Sequence, residues 1–163
     1  MLILGIDPGT ATTGYGIVEL KGNKYASVAF GVIKTSPDLP LENRLFLIHR
    51  EIERLIKTYR PSEVAIEELF FNKNVRTALA VGHARGVILL AASQQATPVF
   101  EYTPLQVKQG VVGYGRAEKK QVQFMVKTIL GLDKMPKPDD AADALAIAIC
   151  HGNCASSPLA RNF

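Results

Sequence analysis

The 163 residues suffice for one domain with one sizeable core, and 47% hydrophobic against 21% charged residues excludes an intrinsically disordered chain. The net charge of +4 is modest, and with no Trp present any base stacking falls to Phe or Tyr. The longest apolar stretch, residues 77–92, is interrupted by His83 and Arg85, and its unbroken part is too short to span a bilayer.

Taken in order, residues 1–7 read MLILGID, with no basic lead and no small-residue cleavage site. No signal peptide and a cytoplasmic location are therefore expected, with no membrane partner. Residues 2–7 are a near-continuous apolar run, as for a central strand buried on both faces, ended by Pro8-Gly9. Strands over 15–20 and 25–34 flank a turn at Lys21-Gly22-Asn23 and make an antiparallel meander. Apolar residues at 41, 45, 48, 52, 55 and 56 predict a helix over 41–59, stopped by Pro61.

A strand over 63–69 follows, then a long helix from an Asn74 cap to about Gln94, in which Ala78, Gly82 and Gly86 recur every fourth position. That helix is a candidate subunit interface, with packing onto the sheet as the competing reading. A fifth strand is predicted over 97–102 and short helices near 104–110 and 117–131. After Pro136 and Pro138 a last helix, capped by Asp139, runs to about His151. This order implies an α/β fold, a mixed five-stranded sheet with helices on both faces. One domain over 1–152 is expected, with 153–163 as a short flexible tail.

Charge is unevenly placed. Residues 105–137 hold 7 Lys/Arg against 2 Asp/Glu, while residues 138–163 hold 1 against 3. A basic segment beside an acidic cluster suits a protein that grips a phosphate backbone next to a cation site. Asp7 ends a buried strand, where an unpaired carboxylate is costly, so something positive must meet it. The strand EVAIEEL brings two more acids, Glu67 and Glu68, which the pleat sends to opposite faces; alternation does not say which joins Asp7. Asp140 and Asp143 are three apart on a helix, side by side, and five alanines at 141, 142, 144, 146 and 148 keep that helix slim enough to approach the sheet.

Hard oxygen ligands of this kind select Mg²⁺ or Mn²⁺ rather than zinc, and two such ions can activate water and clamp a phosphate. The competing reading of Asp140 and Asp143, favourable charge at a helix N-terminus, leaves Asp7 and Glu67 unexplained. Cys150 and Cys154 read as reduced thiols, since His49 and His83 lie far from them in sequence. Phe70, Phe71, Lys73 and Arg76 form an aromatic and basic loop close after the strand-end acids. Arg116, Lys119 and Lys120 sit in a glycine-bracketed turn entering a helix, where they suit phosphate contacts, while Lys127 reads as a solvated charge.

ILGIDPGTATTGYG at 3–16, AIEELF at 65–70, GHARG at 82–86, QVKQGVVG at 106–113, AEK at 117–119 and DAADALAIAI at 140–149 together resemble the RuvC family of Holliday-junction resolvases. The resemblance runs in order through residues 2–151. It implies a ribonuclease-H-like fold, a homodimer and Mg²⁺-dependent paired nicking of opposed strands of a four-way junction in recombination and repair, with two ions per subunit. It also implies preferred cleavage sequences and a branch-migration motor of the RuvA–RuvB type as partner.

Position in the matching motifs gives Asp7, Glu67, Asp140 and Asp143 the four metal-binding catalytic places, and makes Glu68 the neighbour that does not ligate. Phe70 matches an aromatic junction contact; Lys108 and Lys119 match basic residues near the scissile region. Three alternatives compete with this reading. A phosphotransferase of the actin and sugar-kinase type shares the Asp-x-Gly-Thr turn but needs two such domains. An idle DNA-binding scaffold should lose acids. A nuclease for RNA–DNA hybrids shares the acids but not the blocks above.

Overall fold

The computed structural model describes the backbone of residues 1–68 and 75–156, and their side chains except at 75–77 and 156. Strands β1 (Leu2–Asp7), β2 (Thr12–Lys21), β3 (Lys24–Lys34), β4 (Glu63–Glu67) and β5 (Val99–Tyr102) form one sheet in the order β3-β2-β1-β4-β5. The first three pair antiparallel as a meander; β1–β4 and β4–β5 are parallel. The expected mixed five-stranded sheet is present, with β2 starting three residues earlier and β4 ending at Glu67, short of the predicted 69.

Apolar residues alternate along β1 and β4 between two cores. Leu4, Ile6, Val64 and Ile66 face α1 (Leu41–Tyr59) and α2 (Val75–Gln94), whose Ile48, Ile52, Leu55, Ala84, Ile88 and Ala91 close that side. Ile3 and Ala65 face α3 (Pro104–Val112), α4 (Lys119–Leu130) and α5 (Asp139–Ser156). The cuts between helices are chemical. A left-handed Arg60 followed by Pro61 ends α1; Thr103 and Gln106 form a capping box that starts α3; Glu118 and Gln121 do the same for α4.

Helix α5 lies directly on the strands because the sheet offers it glycine. A Cβ on Gly5 would meet the Ala144 carbonyl oxygen at 2.1 Å, one on Gly14 the Asp140 carbonyl oxygen at 1.9 Å, and one on Gly16 the Leu145 side chain at 2.7 Å. Alanines answer from the helix: Ala141, Ala142, Ala144 and Ala148 are all buried. At its other end α5 is tied by polar groups. His151, 2% exposed, donates from Nε2 to Glu63 of β4 at 2.5 Å and meets the Tyr102 hydroxyl of β5 at Nδ1 at 2.7 Å. Asp139, expected as the cap, is the first helical residue, and α5 runs on to Ser156, so residues 153–156 of the expected tail are helical.

In α2 the every-fourth-residue stripe does not face the sheet. Successive steps of four drift by roughly 40° on a 3.6-residue helix, so Ala78 is buried, Gly82 half-buried and Gly86 exposed. Ala84, Ile88, Ala91 and Ala92 make the packed face instead. Among the described residues no helix is long and apolar enough to cross a membrane.

Gly14→Ala should drive α5 off the sheet. We expect a loss of about 1–3 kcal/mol in stability together with loss of nuclease activity at temperatures where the variant is still folded. Thermal melts and a cleavage assay check this; full activity in the folded variant would show that the close approach is not needed.

Candidate active site

Asp7 and Glu67 end neighbouring parallel strands, one step beyond the paired residues Ile6 and Ile66. Gly5 points at α5, so Asp7, two residues on, shares that face; Ala65 belongs to the α5-side core, so Glu67 does too. The side chain of Glu67, rather than that of Glu68, therefore joins Asp7. Asp7 pairs across the sheet with Gly14, and Gly14 abuts the backbone of Asp140. The acidic first turns of α5 are thus held beside the two strand-end acids.

Their mutual repulsion is visible in their acidity. Burial, then the charges of Glu67, Asp143 and Asp140, raise Asp7 to about 8, with Lys119 opposing. Burial and Asp143 raise Glu67. Burial also raises Asp143, though its hydrogen bond and charge interaction with Lys119 act the other way. Lys119 Nζ sits 2.9 Å from Asp143 and 3.4 Å from Asp139. Burial alone would lower the lysine, but the Asp143 hydrogen bond and the charges of Asp143 and Asp139 outweigh it and raise it.

Among the described residues no three His, Cys, Asp or Glu side chains form a ready-made metal cage. The donor set nonetheless fits a hard divalent cation: four carboxylates from three elements, with at least three disfavoured as anions, and no thiol or imidazole among them. Lys119 stands beside Asp143 where such a cation would compete for the carboxylate.

Two clefts open from the acids. The first, about 250 Å³, is lined by Glu67, Asp143, Lys108 and Lys119. The second, about 660 Å³, runs from Asp140 past the β1–β2 turn to Arg44, Leu79 and His83. Of the predicted DNA contacts, Lys108 and Lys119 line the first cleft; Arg116 and Lys120 are exposed at the entry to α4, outside both. Phe70, Phe71 and Lys73, like the Asn74 cap, lie outside the described residues, and so does the Arg76 side chain. Cys150 and Cys154 are free; burial and Cys154 push the Cys150 thiol up to about 12, which leaves it unreactive. The sequence reading missed the Lys119–Asp143 pair, the second cleft and the Glu63–His151–Tyr102 cluster.

The family model for the crossover junction endodeoxyribonuclease RuvC matches residues 3–151. The chain belongs to the RuvC family. Relatives with that name include one from Desulforamulus reducens, 60% identical over 96% of this chain and 96% of its own length. Another, from Pelotomaculum thermopropionicum, is 62% identical over 94% and 93%. The structure resembles Thermus thermophilus RuvC, at 42% identity, TM-score 0.90 and 95% coverage of each chain. It also resembles that RuvC in complex with Holliday junction substrate, at 43% identity and TM-score 0.92, covering 95% of this chain and 94% of the other. The fold is therefore that of the RuvC nucleases, and endonuclease activity comes with membership. Nucleases of the RuvC family are metal-dependent, in keeping with the acid cluster.

In this RuvC-family site Asp7 ionises near 3.8 when unfolded and at about 8 when folded. Its contribution to stability is full below the unfolded value and is lost as pH rises through the folded one, in the absence of metal. Asp7→Asn removes the charge, so at pH 8 in EDTA the variant should melt above the parent, by about 2–4 °C for each kcal/mol of relieved repulsion. Near pH 4 the advantage should vanish. Thermal melts at both pH values decide it; an equal offset at both would mean that the Asp7 charge carries no such penalty.

Proposed function

We propose that this nuclease resolves Holliday junctions as a homodimer, nicking opposed strands with two Mg²⁺ ions per subunit held by Asp7, Glu67, Asp140 and Asp143, with Mn²⁺ able to substitute. The observation that carries the reading is the setting of Asp7, which burial first, and then the charges of Glu67, Asp143 and Asp140, raise to about 8. Divalent ions, when bound, make water a better nucleophile and neutralise charge on the phosphate.

The chain's own residues set the geometry. Asp7 and Glu67 hold their carboxylates from the rigid strand ends, and Asp140 and Asp143 hold theirs from α5, so the scaffold fixes all four. Lys119 places an ammonium 2.9 Å from Asp143, where it can meet a phosphate oxygen. Lys108 adds a second cation in the same cleft. Phe70, Lys73, Arg76, Arg116 and Lys120 are proposed as further DNA contacts, and a RuvA–RuvB-type motor as the partner that delivers the junction.

A cleavage assay on a synthetic four-way junction, run with Mg²⁺ or EDTA beside linear duplex and RNA–DNA hybrid, tests the activity. Paired symmetric nicks on the junction alone, lost in EDTA, are expected; cutting of hybrid instead would move the substrate assignment. Asp143→Asn should abolish cutting, a larger effect than the roughly 10–100-fold loss typical of groups that only orient a ligand, while junction binding persists.

A junction has two-fold symmetry, and paired incisions need two sites related by it. On α2 the exposed residues Leu79, His83, Gly86 and Leu90 form one stripe with spacing 4, 3, 4, the spacing of a helix–helix seam. Leu90 is 51% exposed, and Gly86 has nothing near its missing side chain, so a second helix can approach closely. The C-terminal half of the stripe is the proposed seam, and its N-terminal half opens onto the second cleft. Leu90→Glu should yield a monomer in sedimentation and uncouple the two nicks; an unchanged dimer would place the interface elsewhere.

A further inference from the structure

The acids lie between two clefts, yet every cation near them assigned so far belongs to one. Asp143 and Glu67 wall the cleft of Lys108 and Lys119; Asp140, one helical turn away, walls the other. A strand whose scissile phosphate sits over the acids must leave on both sides.

The second cleft has its own cation, and it is held. Arg44 of α1 donates from Nε to Thr35 Oγ1 at 2.8 Å. Thr35 Oγ1 donates to the Thr10 carbonyl at 2.6 Å, and Thr10 Oγ1 to the Ala80 carbonyl of α2 at 2.5 Å. Both threonines are buried. This chain fixes the guanidinium by one edge against the turn that follows Asp7. Its two terminal nitrogens keep the fork geometry that suits a phosphate. Among the described residues Arg44 has no carboxylate partner, whereas Arg54 and Arg85 each have one and Lys119 has two. The rest of the lining also suits a nucleotide: Leu41 and Leu79 are exposed apolar surface for a sugar or base, and His83 is exposed beside them.

We propose that this cleft takes the DNA strand on the side of the scissile phosphate away from Lys119, with Arg44 binding a backbone phosphate by its free edge. The proposal rests on the junction-cutting reading and deepens it. Because the cleft leads from Asp140 to Leu79 and His83, and so toward the α2 seam, this segment runs toward the two-fold axis, where the strands of a junction cross. Arg44 is then a positioning residue: it holds the strand in line with the acids and touches no reacting atom.

The test pairs Arg44→Gln, which keeps a donor for Thr35 and loses the charge, with junctions carrying one neutral methylphosphonate at each position flanking the cut. Binding is measured in EDTA, and nicking in Mg²⁺. The variant should bind about tenfold more weakly, with the salt slope smaller by about one per engaged site. In the wild-type protein a methylphosphonate on the crossover side should weaken binding by a similar factor. Combined with Arg44→Gln it should add nothing at that position, while positions on the Lys119 side stay additive. Additive losses at every position, or no loss at all, overturn the assignment. Should the variant fail to fold in a thermal melt, the wild-type methylphosphonate series decides alone, and no loss on the crossover side overturns the assignment. The junction-cutting reading fails separately, if the wild-type protein shows no preference for junction over linear duplex.

Discussion

The seating of α5 on bare backbone governs the rest of the molecule. Gly5, Gly14 and Gly16 remove the side-chain layer that ordinarily separates a helix from a sheet, and the helix answers with alanine. That brings the backbone of Asp140 against the residue that pairs with Asp7. The carboxylates of positions 67, 140 and 143 then lie near enough for their charges to be felt at Asp7. A helix standing at ordinary distance would leave the two aspartates of α5 too far from the strand ends to act with them.

So smooth a contact sets distance well but resists sliding poorly, because alanine and glycine offer few knobs. The polar cluster at the far end supplies what the small residues lack. His151 is buried between Glu63 of β4 and Tyr102 of β5, and hydrogen bonds of 2.5 and 2.7 Å have little tolerance for translation along the helix axis. Glu63 and Glu67 lie on the same face of β4, so one strand carries both the tether and a carboxylate of the acid cluster. Helix and sheet are pinned at one end and gather their acids at the other.

Much of this was legible in the sequence, for identifiable reasons. The strand β1 and the helix over 41–59 announce themselves through apolar run and period, and the i,i+3 spacing of Asp140 and Asp143 guarantees that they are neighbours. The choice between Glu67 and Glu68 was open to pattern alone, since both faces of an interior strand are covered; the pointing of Gly5 and Ala65 decides it. Strand order was out of reach because it is a matter of long-range pairing. Glu63, Tyr102 and His151 could not be linked either, being 88 and 49 residues from one another across the two bonds. The threonine chain that holds Arg44 is equally non-local, and its members are unremarkable one by one. The ends of β4 and α5 were misplaced because local pattern does not register where pairing stops or where tertiary packing prolongs a helix.

The ion pair between Lys119 and Asp143 has a consequence for how the enzyme comes into being. Many metal sites are incomplete without their ion, and the chain around them stays unfolded until it arrives. Here a covalently tethered ammonium stands 2.9 Å from the Asp143 carboxylate, so the polypeptide itself offsets part of the site's negative charge. A charge that the chain supplies itself arrives with the fold, so this corner of the acid cluster is balanced from within.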